Sequence, residues 1–217
     1  MSYLQKIKWK NIFYILPFAL GVIWFFILEK AIPYADFIIF SNVDLLIPFN
    51  RFFIIPYLLW YPYIIIPCVY FFFKSPIDFK RIMGFLSIGM ILACIIFTVY
   101  PNGQTLRPAY TGEGFIGALI HHLYYADTPT NSLPSLHVIY SVGVHISLIK
   151  ARVKISEPVK GLSFIMMALI IMSTVFVKQH SVLDAVAGLF VSAVIYLLVY
   201  MPQETRVFGR LIRQSIW

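Results

Sequence analysis

The chain has 217 residues, 60% of them hydrophobic and only 12% charged, where soluble domains run about 45–50% apolar and about 25% charged. So little charge cannot cover a molecule with polar surface, which excludes a soluble domain and predicts an integral membrane protein of one domain, residues 1–217. The formal charge of +8 does not argue for a nucleic-acid partner, because cytoplasmic loops of membrane proteins collect Lys and Arg.

Lys6, Lys8 and Lys10 precede a first apolar run over 12–28. No small-residue cleavage site follows it, so it is read as an anchor rather than a signal peptide. Residues 32–50 are mixed, with Asp36, Asp44, Pro33, Asn42 and Pro48, and are expected to lie at the interface. A second span is predicted over 52–73, where Pro56, Pro62 and Pro67 are tolerated if neighbours satisfy the backbone. Its Trp60 suits an interface belt. A basic loop with Lys74, Lys80 and Arg81 leads to a third span over 82–100. Residues 101–133 form the longest polar break, with a short surface helix expected over 115–125 that bears His121 and His122. The fourth span is predicted over 134–149, the fifth over 162–177 and the sixth over 180–201, before a tail with Arg206, Arg210 and Arg213. Cys68 and Cys94 fall inside apolar runs and read as buried thiols. The expected fold is therefore all-α, a polytopic bundle of six transmembrane helices.

Charge then orients the bundle. With six spans, both termini and the loops carrying Lys74–Arg81 and Lys150–Lys160 share one side, leaving only Lys30, Arg51, Arg107 and Lys178 on the other. The positive-inside rule puts both termini in the cytoplasm and segments 101–137 and 178–184 on the external face. Residues 134–150 make about 25 Å of helix at about 1.5 Å per residue, against a bilayer core of about 30 Å. With Lys150 at the inner boundary, His137 sits near the outer one, at the depth of a lipid phosphate.

That face collects the reactive side chains. Asn131-Ser132-Leu133-Pro134-Ser135-Leu136-His137 reads as a helix start, with Pro134 in the first turn and Asn131, Ser132 or Ser135 as cap. Helix starts attract anions such as phosphate. His180 and Asp184 are four apart; a carboxylate on one imidazole nitrogen fixes the tautomer and frees the other to attack. A His–Asp pair can instead lock two helices, but ionisable groups within a span are costly, about 2.5–3.5 kcal/mol on insertion scales. His137 is the natural general acid. Arg107 and Lys178 are expected to neutralise phosphate oxygens, with Ser135 donating to them; snorkelling cations and a plain helix cap are the competing readings. His121, His122, Glu113 and Asp127 are read as loop or gate residues, His145 as a packed His, and Asp184, Gly188 and Ser192 as a close-packing face.

Leu106-Arg107-Pro108, Pro134-Ser135-Leu136-His137 and His180-x-x-x-Asp184 together resemble the type-2 phosphatidic acid phosphatase superfamily over roughly residues 80–200. The resemblance implies Arg107 and Ser135 as phosphate ligands, His137 as general acid, His180 as nucleophile and Asp184 as its orienter. It implies a lipid phosphate substrate and a phosphohistidine intermediate, with no metal and no cofactor. Three positions depart from the family motifs: Tyr100 stands where a Lys is expected, Leu136 where a Gly is, and Thr174 where an Arg is. Lys178 is the expected replacement for the lost charge. Leu136 is similar to the branch that includes inositol phosphorylceramide synthases, which leaves hydrolysis and transfer to an alcohol both open. A transporter or an integral metalloenzyme is the rival class, but no paired repeat of interrupted helices is visible, and His121-His122 alone is a weak metal signal. The expected location is the plasma membrane, multi-pass, with the site facing outward.

Overall fold

A computed structural model describes residues 11–201, so the basic segments with Lys6, Lys8 and Lys10 and with Arg206, Arg210 and Arg213 lie outside the described residues. The described chain is helical, in the order α1 (Leu16–Ala31), β1 (Phe37–Ile38), α2 (Asn42–Leu46), α3 (Ile54–Lys74), α4 (Pro76–Val99), β2 (Asn102–Gly103), α5 (Gly114–Ala126), α6 (Leu136–Ile149), α7 (Glu157–Phe176) and α8 (Val182–Val199). Among the described residues, four helices are long and apolar enough to cross a membrane: α3 with its one-turn lead-in from Arg51, α4, α7 and α8. α6 is apolar but only 14 residues long, and α1 has 16.

α6 stands at the centre, against α3, α4, α7 and α8, while α1 packs on α4. Small residues let this short helix in. A Cβ on Gly143 would meet the Phe85 ring at 2.4 Å, and one on Gly188 of α8 would lie 2.9 Å from Val138 and 3.0 Å from the Ser135 carbonyl. Asp184, Gly188 and Ser192 form the expected close-packed face, and the Ser192 hydroxyl donates to the Gly188 carbonyl at 2.7 Å. Ser141 and Ser147 of α6 likewise donate one turn back, to His137 and Gly143, each at 2.7 Å. Hydroxyls satisfied inside their own helix cost little in an apolar interior.

Several boundaries differ from the sequence reading for local reasons. α4 begins at Pro76, six residues early, because Ser75 caps it, Pro76 fills its first position and Asp78 lies in its first turn, so Lys80 and Arg81 are helical rather than loop. Asp78 then accepts from the Arg152 backbone N–H at 2.9 Å. Pro62 and Pro67 are carried inside an uninterrupted α3. α6 begins at Leu136 with Ser135 at the cap position, so Pro134 precedes the helix instead of opening it.

The predicted interfacial segment 32–50 pairs with the long polar break. β1 and β2 run parallel, Phe37 opposite Asn102 and Ile38 opposite Gly103, and Gly103 also bridges Thr130. Asn102 is the hub: its amide oxygen accepts from Ser132 N at 3.0 Å and Leu133 N at 2.7 Å, and its nitrogen donates to the Leu133 carbonyl at 3.0 Å. Glu29 of α1 holds the same loop, accepting from the Thr128 hydroxyl at 2.8 Å and the Asn131 amide at 2.7 Å.

Candidate active site

α7 and α8 are joined by a tight turn that presents His180. The Thr174 carbonyl accepts from both Gln179 N and His180 N at 3.0 Å, and Lys178 takes a left-handed backbone, φ 56°. Ser181 caps α8, and Asp184 completes a capping box by accepting from Ser181 N at 3.0 Å. The same Asp184 oxygen faces His180 Nδ1 at 3.2 Å. The pair thus meets because His180 precedes the cap and Asp184 turns back to it, rather than by sharing a helical face. An ionised carboxylate only accepts, so Nδ1 carries the proton and Nε2 keeps its lone pair.

His137 lies in the first turn of α6, its ring 5.7 Å from that of His180 at 61°. It is held between Tyr57 and Trp60 of α3, with ring centroids at 4.4 and 4.2 Å. Trp60 therefore lines the site. Ser135 N donates to the Asp184 carbonyl at 3.1 Å, which sets the starts of α6 and α8 side by side. The Ser135 hydroxyl does not cap α6; neither do Ser132 and Asn131, whose side chains go to Asn102 and Glu29. Ser135 Oγ, His137 Nε2 and Arg107 Nε are all buried without a protein partner, and buried polar atoms in this condition are costly and uncommon.

Arg107 reaches the site through its neighbours. Its guanidinium donates to the carbonyls of Tyr124 at 3.1 Å and Thr128 at 3.0 Å, and to the side-chain oxygen of Gln179, and it lies over the Tyr124 ring at 4.7 Å. Burial pulls its pKa down, opposed by Asp127, yet a guanidinium remains charged. Gln179 in turn donates to Asp127 Oδ2 at 3.3 Å, and the Tyr57 hydroxyl approaches the same oxygen at 3.5 Å. Burial and then Glu29 raise the Asp127 pKa to about 6, against the pull of Arg107 and His180.

The structure brings His180, Asp184, His137, Ser135 and, through Gln179, Arg107 together. Lys178 is a correction: its ammonium is buried and donates to the carbonyls of Asp44 at 2.7 Å and Ile47 at 2.6 Å. A buried ammonium needs acceptors, and this one finds them at the end of α2 rather than beside Arg107. Burial lowers its pKa. The three departing motif positions are structural here. Tyr100 stacks on Phe37 at 4.2 Å, Leu136 opens α6, and the Thr174 hydroxyl donates to the Ile171 carbonyl at 2.8 Å. His145 packs as expected, with Nδ1 3.1 Å from the Ser163 hydroxyl. His121 and His122 are exposed on α5.

Sequence reasoning missed Asp44 and Gln179. Asp44 is buried, accepts from the Ser181 hydroxyl at 2.6 Å and from Val182 N at 2.8 Å, and closes a capping box with Ser41 at 2.8 Å. The Ser41-x-x-Asp44 spacing was its signal. Gln179, beside His180, carried none.

The family profile of the PAP2 superfamily matches residues 46–198, which takes in Arg107, Ser135, His137, His180 and Asp184. No curated protein matches the chain, and no solved structure does. The motif order, the convergence of the two imidazoles and the long apolar helices agree with that profile: the chain is an integral membrane protein of the PAP2 superfamily, with phosphatase- or phosphotransferase-type chemistry.

Proposed function

We propose that this protein hydrolyses a lipid phosphate monoester or pyrophosphate at the extracytoplasmic face through a phosphohistidine. The carrying observation is the His180–Asp184 pair at 3.2 Å with the His137 ring 5.7 Å from that of His180. His180 Nε2 attacks phosphorus, the bond to the lipid oxygen breaks, and its electron pair leaves on that oxygen, which takes a proton from His137. The rings of Tyr57 and Trp60 hold the His137 imidazole in place for that transfer. Neutral His137 then accepts a proton from water, the hydroxide attacks phosphorus, and the P–N bond breaks to return His180 and release phosphate. Arg107, the Ser135 hydroxyl and the amides at the start of α6 suit the non-bridging oxygens. Lys178 is left out of that set, since its ammonium is engaged at α2.

One observation favours a second reading, transfer of a phospho-head group to an alcohol, as in the inositol phosphorylceramide synthase-like branch. Tyr100 and Thr174 replace two cations of the family motifs, which leaves Arg107 as the permanent charge among the motif residues. A singly charged phosphodiester needs less neutralisation than a monoester dianion. Six spans with both termini in the cytoplasm, at the plasma membrane, complete the proposal.

The purified full-length protein, incubated with EDTA and a panel of lipid phosphates, is expected to release phosphate, and His180→Ala is expected to fall below a tenth of that rate. Full loss of wild-type turnover on chelation, or retention by His180→Ala, overturns the mechanism. Phosphate recovered attached to added glycerol, instead of free, decides for transfer.

A further inference from the structure

Asp127 has no part in the motif chemistry, yet it sits inside the same network. It accepts from Gln179, whose other end is bound to Arg107, and from Tyr57, whose ring packs on His137. Tyr57 and Gln179 are buried, and Asp127 is half-buried at the end of α5. Both of its hydrogen bonds fall on Oδ2, so Oδ1 keeps lone pairs for a further donor. Although burial and Glu29 lift its pKa to about 6, the group is ionised at neutral pH.

An ionised carboxylate only accepts, and it repels phosphate oxygens. Beside a phosphate it can welcome a hydroxyl or an ammonium. Arg107, the permanent cation within electrostatic reach of Asp127, disfavours a second cation there, while Glu29 pulls the other way. A hydroxyl meets no such opposition: it donates to Oδ1, while the Tyr57 hydroxyl, donating to Oδ2, holds the carboxylate in place.

We propose that Asp127, Gln179 and Tyr57 form a hydroxyl-binding subsite beside the phosphate position, which takes a phosphate ester whose alcohol part carries a second hydroxyl. The subsite rests on the phosphate-handling reading above and adds a substrate class to it: phosphorylated polyols and their lipid esters, in preference to simple alkyl phosphates. Gln179 holds Asp127 and Arg107 at opposite ends of one amide, so the charge that binds phosphate and the carboxylate that binds hydroxyl keep a fixed spacing.

The test uses phosphonates, which cannot be hydrolysed at the P–C bond. Binding of butylphosphonate, 3,4-dihydroxybutylphosphonate and 2-aminoethylphosphonate to the full-length protein at pH 7.5 is measured by calorimetry. The dihydroxy compound is expected to bind about tenfold tighter than butylphosphonate, the size of a hydrogen bond to a charged group. Asp127→Asn should lower that ratio at least threefold, and Tyr57→Phe, which keeps the ring against His137, should lower it in part. Equal binding of the two butyl compounds by the wild type, or a ratio unmoved by Asp127→Asn, overturns the subsite and leaves the phosphate site standing. Tightest binding of the amine overturns it in favour of an ammonium site. Binding of none of the three defeats the phosphate reading itself, and the subsite with it.

Discussion

At His180 the two ring nitrogens have different work: Nδ1 faces Asp184 at 3.2 Å, and Nε2 is the atom left for phosphorus. Asp127 has its pKa raised to about 6 by burial and Glu29, where an unfolded carboxyl titrates near 3.9. Between those values the folded protein holds more protons than the unfolded chain. Stability therefore falls as pH rises from about 4 to about 6 and stays low above that window. Asp127→Asn, which cannot ionise, is expected to raise the melting temperature at pH 7.5, and the gap from wild type is expected to close as pH drops through 6 toward 4. Thermal unfolding in detergent across that range is the check; a gap independent of pH would show that ionisation is not its cause. At this scale His137, His180 and Asp184 were readable because imidazole and carboxylate are rare in apolar segments. Lys178 was misread, because its spacing gave no sign of the backbone carbonyls that would claim it.

Among the elements, α8 depends on two carboxylates at its start. Asp184 belongs to the helix, while Asp44 comes from α2 and binds Ser181 Oγ at 2.6 Å and Val182 N at 2.8 Å. Negative charge at a helix start is favoured by the exposed amides and by the dipole. Asp44→Ala is expected to cost about 2 kcal/mol, the upper range for a lost cap, and to lower kcat about tenfold while KM changes little, because His180 directly precedes that cap. Asp44→Asn should restore part of both. Steady-state kinetics beside chemical unfolding measure this, and loss of stability with kcat intact would separate Asp44 from the positioning of His180. The helices themselves were legible from apolar runs. Their starts were less legible: the Ser75-Pro76 cap of α4 was passed over, and that helix begins six residues before the expected span. The start of α6 was displaced because Asn131 and Ser132, good caps in isolation, are engaged by Glu29 and Asn102.

For the whole molecule, the orientation of the bundle rests on where Lys and Arg collect, and it has a direct test. Glu113→Cys, ahead of α5, and Glu157→Cys, at the start of α7, are both exposed positions. A membrane-impermeant maleimide applied to intact cells is expected to label the first, and to label the second only after permeabilisation. The reverse pattern would put the site in the cytoplasm. Long-range pairing was the part that local sequence signals could not reveal: β1 finds β2 65 positions further along the chain, Phe37 opposite Asn102, and no short motif records such a partner.

The matched family region begins at residue 46, downstream of both Glu29 and Asp44, yet these two side chains steady the loop before His137 and the turn at His180. The reactive inventory and its scaffolding are thus encoded in separate stretches. Divergence of the leading stretch alone could retune how firmly the reactive groups are held, leaving every motif letter untouched.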